Sequence, residues 1–109
     1  ETQADIRESG LVAPIVGHVG DGNFHLGILF DPLDTDERAR AEALAERVSL
    51  RAIRFGGSCS GEHGVGLHKT RYLDLEHGDG IEIMRSIKAA LDPLGLMNPG
   101  KLIPEPVPG

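Results

Sequence analysis

Two short runs rich in β-branched and aromatic residues, 12–19 and 24–30, flank Gly20-Asp-Gly-Asn23, and the Asp-Gly step between them predicts a tight antiparallel hairpin. This feature constrains the chain more than any other, because the length of a hairpin loop decides which side chains meet across it. Whether the loop is Asp21-Gly22 or residues 20–23, Val19 falls opposite Phe24 and His18 opposite His25. An odd-numbered loop would break that pairing. Directly opposed residues on one face have Cβ atoms roughly 5 Å apart, so the two imidazoles can reach one cation. Along the second strand Phe24, Leu26, Ile28 and Phe30 share an apolar face, which leaves His25 on the other face with Gly27 and Leu29.

The remaining pattern is helical. Residues 1–9 are polar with weak helical character, and Gly10 stops that segment. Asp34-x-x-Glu37 reads as a capping box, preceded by Pro32 at the turn. It opens a helix in which Leu44, Ala45, Val48, Ala52 and Phe55 form the core stripe, with Glu42, Glu46, Arg47 and Arg51 on solvated surface, and Gly56-Gly57 ends it. Residues 56–66 are rich in Gly and Ser without apolar period and read as a loop or short strand pressed close to something. A helical turn over 69–75 follows. Asp79-x-x-Glu82 is a second capping-box pattern, opening a helix with a core stripe of Ile83, Met84, Ile87, Ala90 and Leu91 that Pro93 stops. The tail from Gly95 through Lys101, with three more prolines after it, is extended and turn-rich. This order predicts an α+β layer, a small antiparallel sheet with helices on one face and a C-terminal helical segment. Two or three strands are marginal alone, and their edges invite pairing, so we expect self-association.

By length the 109 residues make one domain, with 15 glycines, no Trp and three Phe, so its core is built from short aliphatic groups. A formal charge of −6, with acidic and basic residues interspersed, argues against a nucleic-acid surface. No apolar run approaches the roughly 20 residues of a membrane span, and no secretory signal opens the chain. The one cysteine, Cys59, forms no internal disulfide, which fits a reducing compartment. It reads as a buried bystander rather than a nucleophile. His68 and His77 read as surface residues. The first residue is Glu rather than Met, which we read as a piece of a longer chain.

Two histidines supply half of a metal's ligands, and the third donor is Glu62 in Ser60-Gly-Glu-His-Gly64. Two imidazoles and a carboxylate with a position left open form the pattern of a catalytic site. Glu62 and His63 are adjacent, so in an extended loop their side chains diverge, one to ligate and one to face a substrate. An unligated imidazole serves as a general base where a metal polarises a bound hydroxyl or carboxylate. A pair of histidines at a turn is otherwise solvated decoration, and Glu62 and the motifs below decide for metal.

His-Val-Gly-Asp-Gly-Asn-Phe-His at 18–25, Gly-Gly-Ser-Cys-Ser-Gly-Glu-His-Gly-Val-Gly at 56–66 and Asp-Pro-Leu-Gly-Leu-Met-Asn-Pro-Gly-Lys at 92–101 occur in order. Together they resemble the C-terminal part of FAD-linked oxidases of the vanillyl-alcohol oxidase type, and within these the D-lactate dehydrogenases and the glycolate oxidase flavoprotein subunit. The resemblance implies a ferredoxin-like half of a cap or substrate domain, with the FAD-binding domain N-terminal to these 109 residues and absent from them. It implies two-electron oxidation of a D-2-hydroxy acid, hydride passing to FAD. His18, His25 and Glu62 then hold a divalent metal (Zn, Mn, Fe or Co), His63 is the base, and Asn98 lies in a segment that approaches the flavin. Lys101 either pins the tail or approaches the flavin as well. The partners implied are a small 2-hydroxy-acid substrate and an electron-acceptor carrier, in a homo-oligomer that is cytoplasmic or peripheral to the inner membrane. Gly27 stands where relatives acting on 2-hydroxyglutarate tend to carry Asn, which tilts the substrate toward lactate or glycolate. Ser58 and Ser60 replace the more usual threonines, and His68 is unusual at its position. The chain alone is expected to be inactive. The alternative is a non-catalytic metal-binding or assembly module that kept the hairpin.

Overall fold

A computed structural model describes residues 1–103, Val19 by its backbone only; the three prolines assigned to the tail at 104, 106 and 108 lie outside the described residues. The chain divides between Gly56 and Gly57 into two compact units. The first holds helix α1 (Thr2–Ser9), strands β1 (Ile15–His18) and β2 (Asn23–Leu26), and helix α2 (Thr35–Arg54). The second holds a 3-10 turn (Thr70–Tyr72), helix α3 (Leu73–His77) and helix α4 (Gly80–Leu91). The architecture is α+β, with a two-stranded antiparallel sheet.

The ends of α1 and α2 follow from their termini. Gly10 closes α1 with φ +70, and Arg40 donates to the carbonyl of Ser9 at 2.8 Å. At α2 the Asp34 carboxylate accepts the amides of Asp36 (3.0 Å) and Glu37 (3.1 Å). The reciprocal half of the box is displaced: Glu37 accepts the amide of Asp31 at 2.8 Å instead of that of Asp34. Leu11, Ala13, Ala41 and Leu44 form the buried core of the first unit, and Ile6, Leu26, Ile28 and Val48 pack against it. Helices therefore cover one face of the hairpin, as the alternation of β2 predicts. Only the middle of the expected stripe is covered. Phe24 and Phe30 remain 44% and 41% exposed, because the helical cover reaches no further than Leu26 and Ile28.

On α2, Leu44 and Val48 face inward as the period predicts, but Ala45 and Phe55 are exposed, and Arg54 stacks on the Phe55 ring at 5.0 Å. The reading of Arg51 as solvated surface is overturned, while Arg47 stays 46% exposed and carries an ion pair there. Both guanidiniums converge on Asp5 of α1, Arg47 at 2.7 Å and Arg51 at 2.9 Å. They lie one helical turn apart on α2, so α1 presents one carboxylate to two forks. The Arg47 guanidinium, joined by Arg51, outweighs the opposing effect of burial and holds the Asp5 carboxyl below its ordinary range. Arg51 also donates to the Thr2 hydroxyl at 2.8 Å, which fastens the first turn of α1.

In the second unit Cys59, Tyr72, Leu73 and Ile81 are buried. The predicted turn over 69–75 appears as the 3-10 turn followed by α3. The helix expected from Asp79-x-x-Glu82 is present, but the capping box is not made: Asp79 is already helical in backbone and its side chain caps nothing. The core stripe is also misplaced. Ile83, Ile87 and Leu91 are 65%, 54% and 80% exposed, whereas Ile81 is buried, because α4 turns the Ile81 and Met84 face inward.

Because the folded Asp5 carboxyl is lowered from an ordinary 3.8, its stabilisation is complete above that value and is lost as pH falls through the lowered folded value. We expect the unfolding midpoint of wild type to drop in that acid window and a part of the drop to vanish in Asp5→Asn. At pH 7, Asp5→Ala should cost about 2–3 kcal/mol in urea unfolding, between the values for exposed and buried pairs.

Candidate metal and substrate site

The hairpin carries one half of the expected donor set. Its register pairs Ile15 with Leu26, Val16 with His25, Gly17 with Phe24 and His18 with Asn23, and the ladder continues through the Gly27 amide on the Pro14 carbonyl (3.0 Å) and the Leu29 amide on the Val12 carbonyl (2.9 Å). His18 is therefore not directly opposite His25. The loop is Val19 to Gly22, a 3-10 turn (Val19–Asp21) closed by Gly22 at φ +67, so the Asp-Gly step ends the loop rather than occupying its centre. The loop still has an even number of residues, and parity is what decides the face. His18 and His25 lie diagonally on one face, separated by the Asn23 position, within reach of long or aromatic side chains.

Two further residues define this half, neither of them found from sequence. Gly17 lies against Phe24 with no room for a side chain: a Cβ there would meet the Asn23 carbonyl oxygen and stand 2.6 Å from Phe24 Cα. Asn23 shares the face of His18 and His25, and its side-chain oxygen is buried without a hydrogen-bond partner among the described residues. An orphaned acceptor of this kind has a cost unless something outside the protein satisfies it. Beside two imidazoles, a cation or its bound water would supply that. The donor chemistry thus fits a divalent metal, and two imidazoles with a carboxylate suit Zn, Mn, Fe or Co.

The second half is the loop over 56–66. It has no regular structure, as its composition predicts. Glu62 and His63 do not diverge, because residues 61–63 bend and strand alternation does not apply: Glu62 Oε1 and His63 Nε2 stand 3.6 Å apart. His63 is 83% exposed. Behind them Cys59 is buried, and burial together with the neighbouring Glu76 carboxylate pushes its thiol up to about 11. It stays protonated at neutral pH, consistent with a bystander. His68 and His77 are exposed, as expected.

Asn98 follows α4 in a turn where its φ is +46 and its carbonyl accepts the Lys101 amide at 3.3 Å. Asp92 builds that turn by accepting the amides of Leu96 (3.0 Å) and Met97 (2.9 Å), while Lys88 bridges the Asp92 carboxylate and the Met97 carbonyl. Lys88 and the two amides pull the Asp92 carboxyl down to about 2.

The chain belongs to the family described as FAD linked oxidases, C-terminal domain, whose model matches residues 1–102. It is 51% identical over 104 residues to a protein named "Probable D-lactate dehydrogenase, mitochondrial" from Danio rerio, covering 94% of this chain and 21% of that protein. It is 47% identical over 90 residues to "Glycolate oxidase subunit GlcD" of Escherichia coli strain K12, covering 82% and 18%. It is 44% identical over 89 residues to the "D-2-hydroxyglutarate dehydrogenase" of Stutzerimonas stutzeri, covering 79% and 19%. The chain thus spans about a fifth of the length of the curated relatives it matches.

The close approach at Gly17 leads to a direct expectation. Gly17→Ala should force the strands apart and cost about 1–3 kcal/mol, the range for overpacked sites, read as a lowered urea midpoint at unchanged slope.

Proposed function

We propose that this chain is the metal- and substrate-binding C-terminal part of an FAD-dependent oxidoreductase that converts a D-2-hydroxy acid, D-lactate or glycolate, to the 2-oxo acid. The observation that carries the reading is the pairing of family membership over residues 1–102 with a hairpin that holds His18, His25 and the orphaned Asn23 oxygen on one face. His18, His25 and Glu62 hold the metal. A divalent ion in such a set polarises a substrate's carboxylate and hydroxyl, and FAD, held mainly by an N-terminal domain, supplies the hydride acceptor. His63 takes the hydroxyl proton on an imidazole nitrogen as the α-hydrogen leaves with its electron pair. Asn98, in the turn built by Asp92, belongs to a segment that would approach the flavin.

Gly27 offers no side chain to recognise a second carboxylate of a larger acid, and this favours D-lactate or glycolate. An electron-acceptor carrier reoxidises the flavin. No helix among the described residues is long and apolar enough to cross a membrane. A location in the cytoplasm or peripheral to an inner membrane is part of the proposal. The relatives from Danio rerio and Arabidopsis thaliana are named as mitochondrial. Self-association is proposed from the two-stranded sheet, with Val12, Val16 and Leu29 each more than 60% exposed along it. Light scattering of the chain at micromolar concentration should give a dimer or larger species, and a clean monomer overturns this.

The full-length protein should show flavin absorbance and be reduced by D-lactate or glycolate in preference to D-2-hydroxyglutarate. In it, His63→Ala should lower turnover by about 10²–10⁴-fold, the usual contribution of a general base, with metal content intact. His18→Ala and Glu62→Ala should lose metal and turnover together. Retained turnover in the His63 variant sinks the base assignment, and a full-length protein without flavin sinks the enzyme.

A further inference from the structure

The loop that carries Glu62 and His63 is fastened at both ends by one short segment, 69–76. At its entry the Glu76 carboxylate, 12% exposed, accepts the Cys59 amide at 3.1 Å, together with the Ser58 hydroxyl and the Cys59 thiol. Lys69 grips the opposite side of the same residue, donating to the Cys59 carbonyl at 2.7 Å. At its exit the Thr70 hydroxyl donates to the Gly66 carbonyl at 2.8 Å. Ser58 closes a further turn by accepting the Ser60 amide at 3.1 Å. Apart from the buried Cys59, this glycine-rich segment offers little side-chain packing, so these bonds contribute strongly to its shape.

Glu76 stands at the centre. A buried carboxylate is costly unless its oxygens are satisfied, and here two backbone-adjacent donors and a thiol satisfy them. The bond from the Ser58 hydroxyl and those from Cys59 keep the carboxyl lowered against the opposing effect of burial. The thiol serves this arrangement as a donor. Glu62 and His63 lie between the two fastened ends, in the bend over residues 61–63.

We propose that Glu76, with Lys69 and Thr70, is a positioning residue for the metal site: it holds residues 58–66 in the shape that presents Glu62 as a ligand and His63 as the base. The proposal rests on the metal reading given above. Partners one shell outside the ligands typically change metal affinity 10–100-fold when removed.

The test uses the full-length flavoprotein with Co²⁺ as the probe, followed by its visible d–d bands and by competition with a chelator. Glu76→Ala should weaken Co²⁺ binding about 10–100-fold and alter the d–d bands, with flavin absorbance unchanged. Glu76→Gln keeps one acceptor oxygen for the Cys59 amide and should recover part of the affinity. Where Glu76→Ala fails to fold, Lys69→Met and Thr70→Val decide, each weakening Co²⁺ with flavin intact. If Glu62→Ala loses Co²⁺ while the Glu76, Lys69 and Thr70 variants bind as wild type, the positioning role is overturned and the metal site stands. If Glu62→Ala binds as wild type too, the metal reading falls, and the positioning role with it.

Discussion

The functional arrangement of the first unit depends on the pairing of Gly17 with Phe24. Backbone approaches so closely there that only a hydrogen fits in place of a side chain, and this contact fixes the register along the whole ladder from Val12 to Leu29. A slip of one residue would send His18 and His25 to opposite faces. With the register set, the apolar residues Leu26 and Ile28 turn toward α2, while the histidines and Asn23 turn away from it. The fold and the candidate site are thus two faces of one pairing decision.

Much of this was legible in the chain, and the misses share a cause. The hairpin, the shared face of its histidines and the α2 cap follow from local chemistry: turn residues, alternation and an N-cap oxygen. Which residue stood opposite which did not follow, because the 3-10 turn draws Val19 into the loop and leaves the Asp-Gly step at its end. The helical period of α4 was equally visible. Period alone does not say which flank is covered, and Ile81 rather than Ile87 was turned inward. The same limit hid Asp5 with Arg47 and Arg51. On a helical wheel those arginines border the core stripe, and only the approach of α1 distinguishes an ion pair from a solvated face. Glu76 was hidden likewise, a carboxylate in a short, charged helix whose role depends on a loop 17 residues away.

The two units solve the same problem differently. In the first, apolar contact and a hydrogen-bonded ladder position the imidazoles. In the second, polar bonds from Glu76, Lys69 and Thr70 hold the loop at Cys59 and Gly66, on either side of Glu62 and His63. A chain poor in aromatics and rich in glycine can build a small rigid sheet, but its loops must be fastened by charge-assisted bonds.

The burial of Cys59 gives the chain a native reporter. Its sulfur is the only one of thiol type in the sequence, sits at the base of the Glu-His loop, and is both shielded and held as the unreactive protonated form, its thiol lying at about 11. A thiol reagent at neutral pH meets it when the structure around it opens, so the rate of labelling reports openings of the second unit with no engineered residue needed.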